Sequence, residues 1–212
     1  MSDFIAFFQL GVGHIVDVGA LDHILFLVAL AVVYRARDWR DALYVISAFT
    51  IGHSVSLALA VTDTLVVQER MVEFLIPLTI VATAVENLVG RHRSVTTDVS
   101  AAPRSVASRY RPLLAGIFGL VHGAGFAGYL KRLFVDSIAL PLLGFNLGIE
   151  AGQILVLVAI AIVLFAVDAA LGRAQRSRRL RGDVSVLRLR VIGLSVAIGL
   201  VASVWAVERR PW

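Results

Sequence analysis

In a chain of 212 residues, 58% are hydrophobic and none is cysteine, and a mean hydropathy of +0.85 is more than a water-soluble fold conceals. The lack of cysteine excludes disulfides, thiolate metal sites and thiol catalysis, and methionine only at Met1 and Met71 argues against a copper(I) relay of soft sulfur ligands. The net charge of +5 does not point to nucleic acid, because the basic residues sit in short loops between apolar runs, a pattern that reads as membrane topology.

A bilayer-spanning helix needs about 20 mostly apolar residues, and six such runs follow one another, at 13–34, 42–61, 67–89, 113–130, 138–167 and 187–207. These predict an all-α polytopic membrane protein with a single membrane domain of about six transmembrane helices. The opening MSDFIAFFQLG lacks a basic n-region and a small-residue cleavage site, so the first apolar segment is expected to be retained. From Phe4 to Tyr34 that segment is about 46 Å long as a helix, against a hydrocarbon core of about 30 Å. A broken segment is expected, with Gly11, Gly13 and Gly19 as places to break it and an interfacial or half-inserted helix before Gly13.

Of the 20 Lys and Arg residues, 15 lie in the first, third and fifth connections and 5 on the other side. By the positive-inside rule the odd connections face the cytoplasm. The expected location is a bacterial inner (plasma) membrane, multi-pass, with both termini periplasmic or extracellular. The stretch 91–111, rich in Ser, Thr, Ala and Arg, reads as a flexible cytoplasmic linker.

Ionisable groups inside spans cost at least about 2.5–3.5 kcal/mol each at a helix centre, so each requires a reason. Asp22 and His23 on the first span, His53 on the second, His122 on the fourth and Glu150 on the fifth fall in the middle or outer half of the membrane. Imidazole and carboxylate are the ligand set of nickel, zinc, cobalt, iron or copper(II), and one divalent ion shared among them offsets their separate burial costs. For a single histidine, an interhelical hydrogen bond is an equal explanation, and for Asp22 beside His23 a helix cap is a competing one. His14, Asp17 and Glu73 lie close enough to the outer interface to be solvated, and Glu86 near the cytoplasmic end to snorkel.

On the fifth span Asn146, Glu150 and Gln153 repeat at i, i+4 and i+7, beside a second stripe of Gly144, Gly148 and Gly152 that favours close helix packing. There is also a short internal echo, FTIGHS at Phe49 to Ser54 and FGLVHG at Phe118 to Gly123, on helices expected to run in the same direction. Matched groups brought by parallel repeats to one midplane site are a transporter pattern.

The runs HIVDVGALDHILFLVAL from His14, AFTIGHSVSLALA from Ala48, VEFLIPLTI from Val72, FGLVHGAGF from Phe118 and FNLGIEAGQ from Phe145 resemble, in the same order, the HupE/UreJ family of bacterial membrane proteins. The resemblance covers about Gly11 to Val167. It implies a role in nickel uptake for hydrogenase and urease, with Asp22 and His23 as the signature pair and His53, His122 and Glu150 at matching polar positions. The family signature places Asp-His five residues after a histidine, whereas here seven residues separate His14 from Asp22.

These readings converge on a transporter of a divalent transition-metal ion, nickel or zinc, whose partners are the bilayer and the ion. No G-x-x-x-x-G-K-[ST] loop is present, so any driving force comes from gradients or a partner protein. A membrane-embedded metalloenzyme is the alternative, with three protein ligands on zinc and a carboxylate as general base. Haem ligation by His53 and His122, or a proton or gas channel through the same polar layer, are further readings of the same residues.

Overall fold

The computed structural model of the protein describes residues 2–17, 19–90, 106–133, 138–176 and 185–212. These residues form seven helices and no strand: α1 Ser2–Val16, α2 Leu21–Ala31, α3 Trp39–Val61 after a 3-10 turn at Ala36–Asp38, α4 Glu69–Val89, α5 Val106–Lys131, α6 Ala139–Arg176 and α7 Val186–Glu208. Helix is the outcome expected of uninterrupted apolar sequence, because in lipid each backbone N–H and C=O must find its partner within the segment. Five of the helices are long and apolar enough to cross a membrane, and α1 with α2, bent by 69° to each other, are apolar enough together to form a sixth, broken span or a re-entrant pair.

The break in that span lies between Val16 and Leu21, later than Gly11 and Gly13, which are interior to α1. A turn built on Asp17 makes it. The Asp17 carboxylate accepts from the Gly19 N–H at 2.8 Å and its carbonyl accepts from the Ala20 N–H at 3.0 Å, replacing helical bonds with a local Asx turn. α1 does not stand apart as an interfacial helix. It lies along the first half of α6, and glycine is the reason: a Cβ on Gly11 would overlap the Phe145 carbonyl, and one on Gly148 the Phe8 carbonyl.

Phe4, Phe8 and Val12 meet Gly144, Gly148 and Gly152 in that order, so α1 and α6 run parallel. The same is true of α3 and α5, where Cβ atoms added to Gly116, Gly119 and Gly123 would meet the carbonyls of Ala48, Phe49 and His53 in that order. The two echoed segments at Phe49 and Phe118 thus lie side by side in one direction. At its start α3 lines a pocket through Trp39 and Leu43 together with Val158 and Phe165 of α6, and further along Thr50 meets Gln153, so the glycine-packed pairs α1/α6 and α3/α5 oppose one another. α7 packs chiefly on α4, and α2 lies between α4 and α6.

Two arginines counted in the sequence as loop charges are buried instead. α5 begins at Val106, so that part of the expected 91–111 linker is helix, while 91–105 lies outside the described residues. Arg111 is 5% exposed and Arg190 3%, and both serve the carbonyls at the end of α2. Arg111 donates to Leu30 O at 3.3 Å and Asn87 to Ala29 O at 2.7 Å. Arg190 donates to Val32 O at 3.0 Å and Tyr34 O at 2.7 Å. The last turn of a helix leaves its carbonyls without internal donors, and burial makes external ones necessary. Glu86 at 2.8 Å and Asp168 at 2.6 Å balance the two guanidinium groups.

Candidate metal centre

The 69° bend places the end of α1 and the first turn of α2 on the same spot, with the middle of α3 beside them. His14, His23 and His53 each offer a ring nitrogen there, and the three nitrogens lie within 4.8 Å of one another. The His14 and His23 ring centroids are 4.7 Å apart, and each is 6.3 Å from that of His53. The Asp17 turn, between His14 and Asp22, brings the start of α2 to the end of α1. His14 is therefore part of the cluster, contrary to its expected place at the solvated outer interface.

Asp22 sets the chemistry of His23. Its Oδ1 is 3.1 Å from His23 Nδ1 and accepts the His23 backbone N–H at 3.0 Å. A carboxylate only accepts, so Nδ1 carries the proton and Nε2 keeps its lone pair, the orienting arrangement found around metal-bound histidines. His23 Nε2, His14 Nε2 and both ring nitrogens of His53 are buried without a hydrogen-bond partner. Uncompensated buried polar atoms are uncommon and costly, and here they share one location.

His122 stands on the other side of His23, ring centroids 5.2 Å apart. Its Nε2 is 2.9 Å from Thr79 Oγ1. The single hydroxyl proton of Thr79 goes to the Ile76 carbonyl at 2.7 Å, so the Thr79 oxygen accepts from His122 Nε2–H and Nδ1 is left with a free lone pair, buried and without a partner. Glycine makes the approach possible, because a Cβ on Gly123 would overlap the His53 carbonyl. Phe26 and Phe49 lie 4.9 and 5.1 Å from His122, and Phe126 lies 4.0 Å from His14, centroid to centroid. An aromatic surround of this kind keeps water out and strengthens charge interactions inside.

Glu150 is not with the histidines. It is exposed on α6 and lines a recess of about 320 Å³ between α3 and α6 with Asn146, Ser47, Thr50 and Ser54. Gln153, on the same helix stripe, turns inward and accepts the Thr50 hydroxyl at 2.6 Å. Asp17 forms the turn, Glu86 pairs with Arg111, and Glu73 is exposed on α4. Thr79, Asn87, Arg111, Arg190 and Arg209 are the polar participants that sequence reasoning missed. A signal existed for Arg111 and Arg190, each close to the start of an apolar run, but single Thr and Asn residues in helices carry none.

Neither a curated protein nor a solved structure matches the chain. A match to the family described as HupE / UreJ protein extends over residues 1–209, and it takes in α7, which motif resemblance alone had left outside. On that match, which spans nearly the whole chain, the chain belongs to the HupE/UreJ family.

Proposed function

We propose that this protein is a membrane permease for a divalent transition-metal ion, nickel-like in its ligand preference, and that the ion binds transiently among His14, His23 and His53, with His122 one step further along. The observation that carries the reading is the convergence of His14, His23 and His53, each offering a ring nitrogen within 4.8 Å of the others and each holding a buried ring nitrogen without a partner, beside the break between α1 and α2. Imidazole suits nickel, zinc, cobalt and copper, and Asp22 supplies negative charge beside them, with Oδ1 on His23 and Oδ2 turned away from it. Membership of a family associated with nickel and cobalt transport supports the same cargo.

Three nitrogens bound tetrahedrally at about 2.0–2.1 Å from zinc stand about 3.3 Å apart, and the nitrogens of this cluster, within 4.8 Å of one another, are near enough to share one ion. They lie beside the break between α1 and α2, and irregular backbone at membrane depth is a recurring feature of transporter binding sites. The excess of arginine at one set of span ends favours a cytoplasmic position for those ends, and with it a position of the cluster in the middle or outer half of the bilayer.

A resident zinc enzyme uses three protein ligands as well, and permanence separates the two. Uptake of radioactive nickel by cells or proteoliposomes carrying the parent protein, but not the His53→Ala variant, supports transport. An ion that co-purifies stoichiometrically and survives dialysis, without any uptake, contradicts it.

A further inference from the structure

The Asp22 carboxylate faces two ways. Oδ1 is engaged by His23, while Oδ2 is 3.4 Å from Arg209 Nη1. Among the described residues Arg209 is the cation paired with Asp22 from outside the histidine cluster. It is held there from both sides. Its guanidinium carbon stands 5.5 Å from the Trp205 ring centroid, one turn back on α7, and three residues on the Trp212 ring meets Phe74 of α4 at 5.4 Å in an edge-on contact. The segment after α7 is thus fastened to α4, with Arg209 directed at the carboxylate beside the candidate metal site. The Asp22 side chain is 15% exposed and that of Arg209 35%, so water and ions reach the arginine more readily than the carboxylate.

Resting on the metal-site reading above, we infer that Arg209 is a selectivity residue: a tethered monovalent cation on Asp22 that a divalent ion displaces and a monovalent ion does not. The reason is charge arithmetic. Replacing a guanidinium by sodium at Asp22 gains no net charge and gives up the contact of the guanidinium with the Trp205 ring. Replacing it by a divalent ion adds one unit of charge beside a carboxylate in a partly desolvated place, where Coulomb attraction is stronger than in water. Arg209 acts through Asp22 and touches no imidazole of the cluster, so it is a positioning group and gate, not a ligand.

The test uses the full chain in detergent with Zn²⁺ as the probe and Trp39→Phe as the background, which leaves Trp205 and Trp212 as the two tryptophans, both beside the proposed gate. Zn²⁺ affinity is measured by calorimetry at constant ionic strength, with tetraethylammonium exchanged for sodium, and tryptophan emission is recorded alongside. With Arg209 present, Zn²⁺ binding shifts the emission and sodium leaves the affinity unchanged. With Arg209→Gln, Zn²⁺ binds more tightly in tetraethylammonium, sodium weakens it by about three- to tenfold, the scale of one partly screened ion pair, and the Zn²⁺-induced emission shift disappears. Arg209→Lys restores sodium insensitivity, and Trp212→Ala, which frees the segment but keeps the cation, gives an intermediate emission shift. Equal affinity, equal sodium response and an equal emission shift in the parent and Arg209→Gln overturn the inference while leaving the metal site standing. Absence of Zn²⁺ binding in the parent itself overturns the site reading and the gate with it.

Discussion

Asp22 and His23 were legible in the sequence because a charge inside an apolar run has to be accounted for. His14 was misplaced for a geometric reason. Its distance from the membrane surface was counted along a helix assumed to end before Gly13, whereas α1 continues to Val16 and the Asp17 turn folds α2 back toward it. Glu150 was grouped with Gln153 on one stripe, yet residues three apart differ by about 60° around a helix. That is enough to turn Gln153 to Thr50 inside and Glu150 to the recess outside. Two outcomes follow at this scale. Removing the His53 imidazole by His53→Ala is expected to weaken Zn²⁺ or Ni²⁺ binding by at least about 100-fold, and Asp22→Asn, which loosens the His23 orientation, by about 10- to 100-fold. Calorimetry on the purified protein checks both, and unchanged affinity in either variant contradicts the role assigned to that residue.

The helices themselves were readable from hydropathy because the bilayer enforces helix on any long apolar segment. Their partners were only half readable. The stripe Gly144, Gly148 and Gly152 announced a close contact, and α1 proved to be what fills it. Gly148→Leu and Gly52→Leu are each expected to cost more than the roughly 1–3 kcal/mol of ordinary overpacking, because a backbone carbonyl, not a movable side chain, stands in the way. Gly128→Ala, where a Cβ meets nothing within 4 Å, is the neutral control. Thermal unfolding in detergent, followed by size-exclusion recovery, separates the three. The arginines capping α2 were not readable, since a topology count treats every arginine near a span end alike. Arg111→Ala strips Glu86, Asn87 and Leu30 of one donor group, and a loss of about 3 kcal/mol is expected, at the lower end for a buried pair because Glu86 keeps some contact with water. A thermal midpoint equal to that of the parent contradicts the capping role.

At the scale of the molecule, two parallel helix pairs, α1/α6 and α3/α5, face each other in opposite directions and meet near the Thr50–Gln153 hydrogen bond. Three of the four helices carry the same short pattern of Phe, a polar residue, Leu or Ile, and Gly, at Phe8, Phe49 and Phe145. Opposed pairs around a central site are the arrangement in which one unit rocks against the other, and the His53 and His14 rings stand one on each pair. The direction of the proposed transport depends on orientation, for which the charge asymmetry is the warrant. In a chain with no native cysteine, Ser2→Cys is expected to react with an impermeant thiol reagent from the periplasmic side of intact cells, and Ser100→Cys only after permeabilisation. Reaction of both from the same side contradicts the assigned orientation.

The claim on which the rest depends is that His14, His23 and His53 hold one divalent ion between them. X-ray absorption spectroscopy at the metal edge of Zn²⁺- or Ni²⁺-loaded protein tests it most directly. The account predicts imidazole scattering from three histidines, with metal–nitrogen distances of about 2.0–2.1 Å for zinc, reduced by one imidazole in His14→Ala. A nearest set of oxygens alone, or a spectrum identical in the parent and His14→Ala, contradicts it.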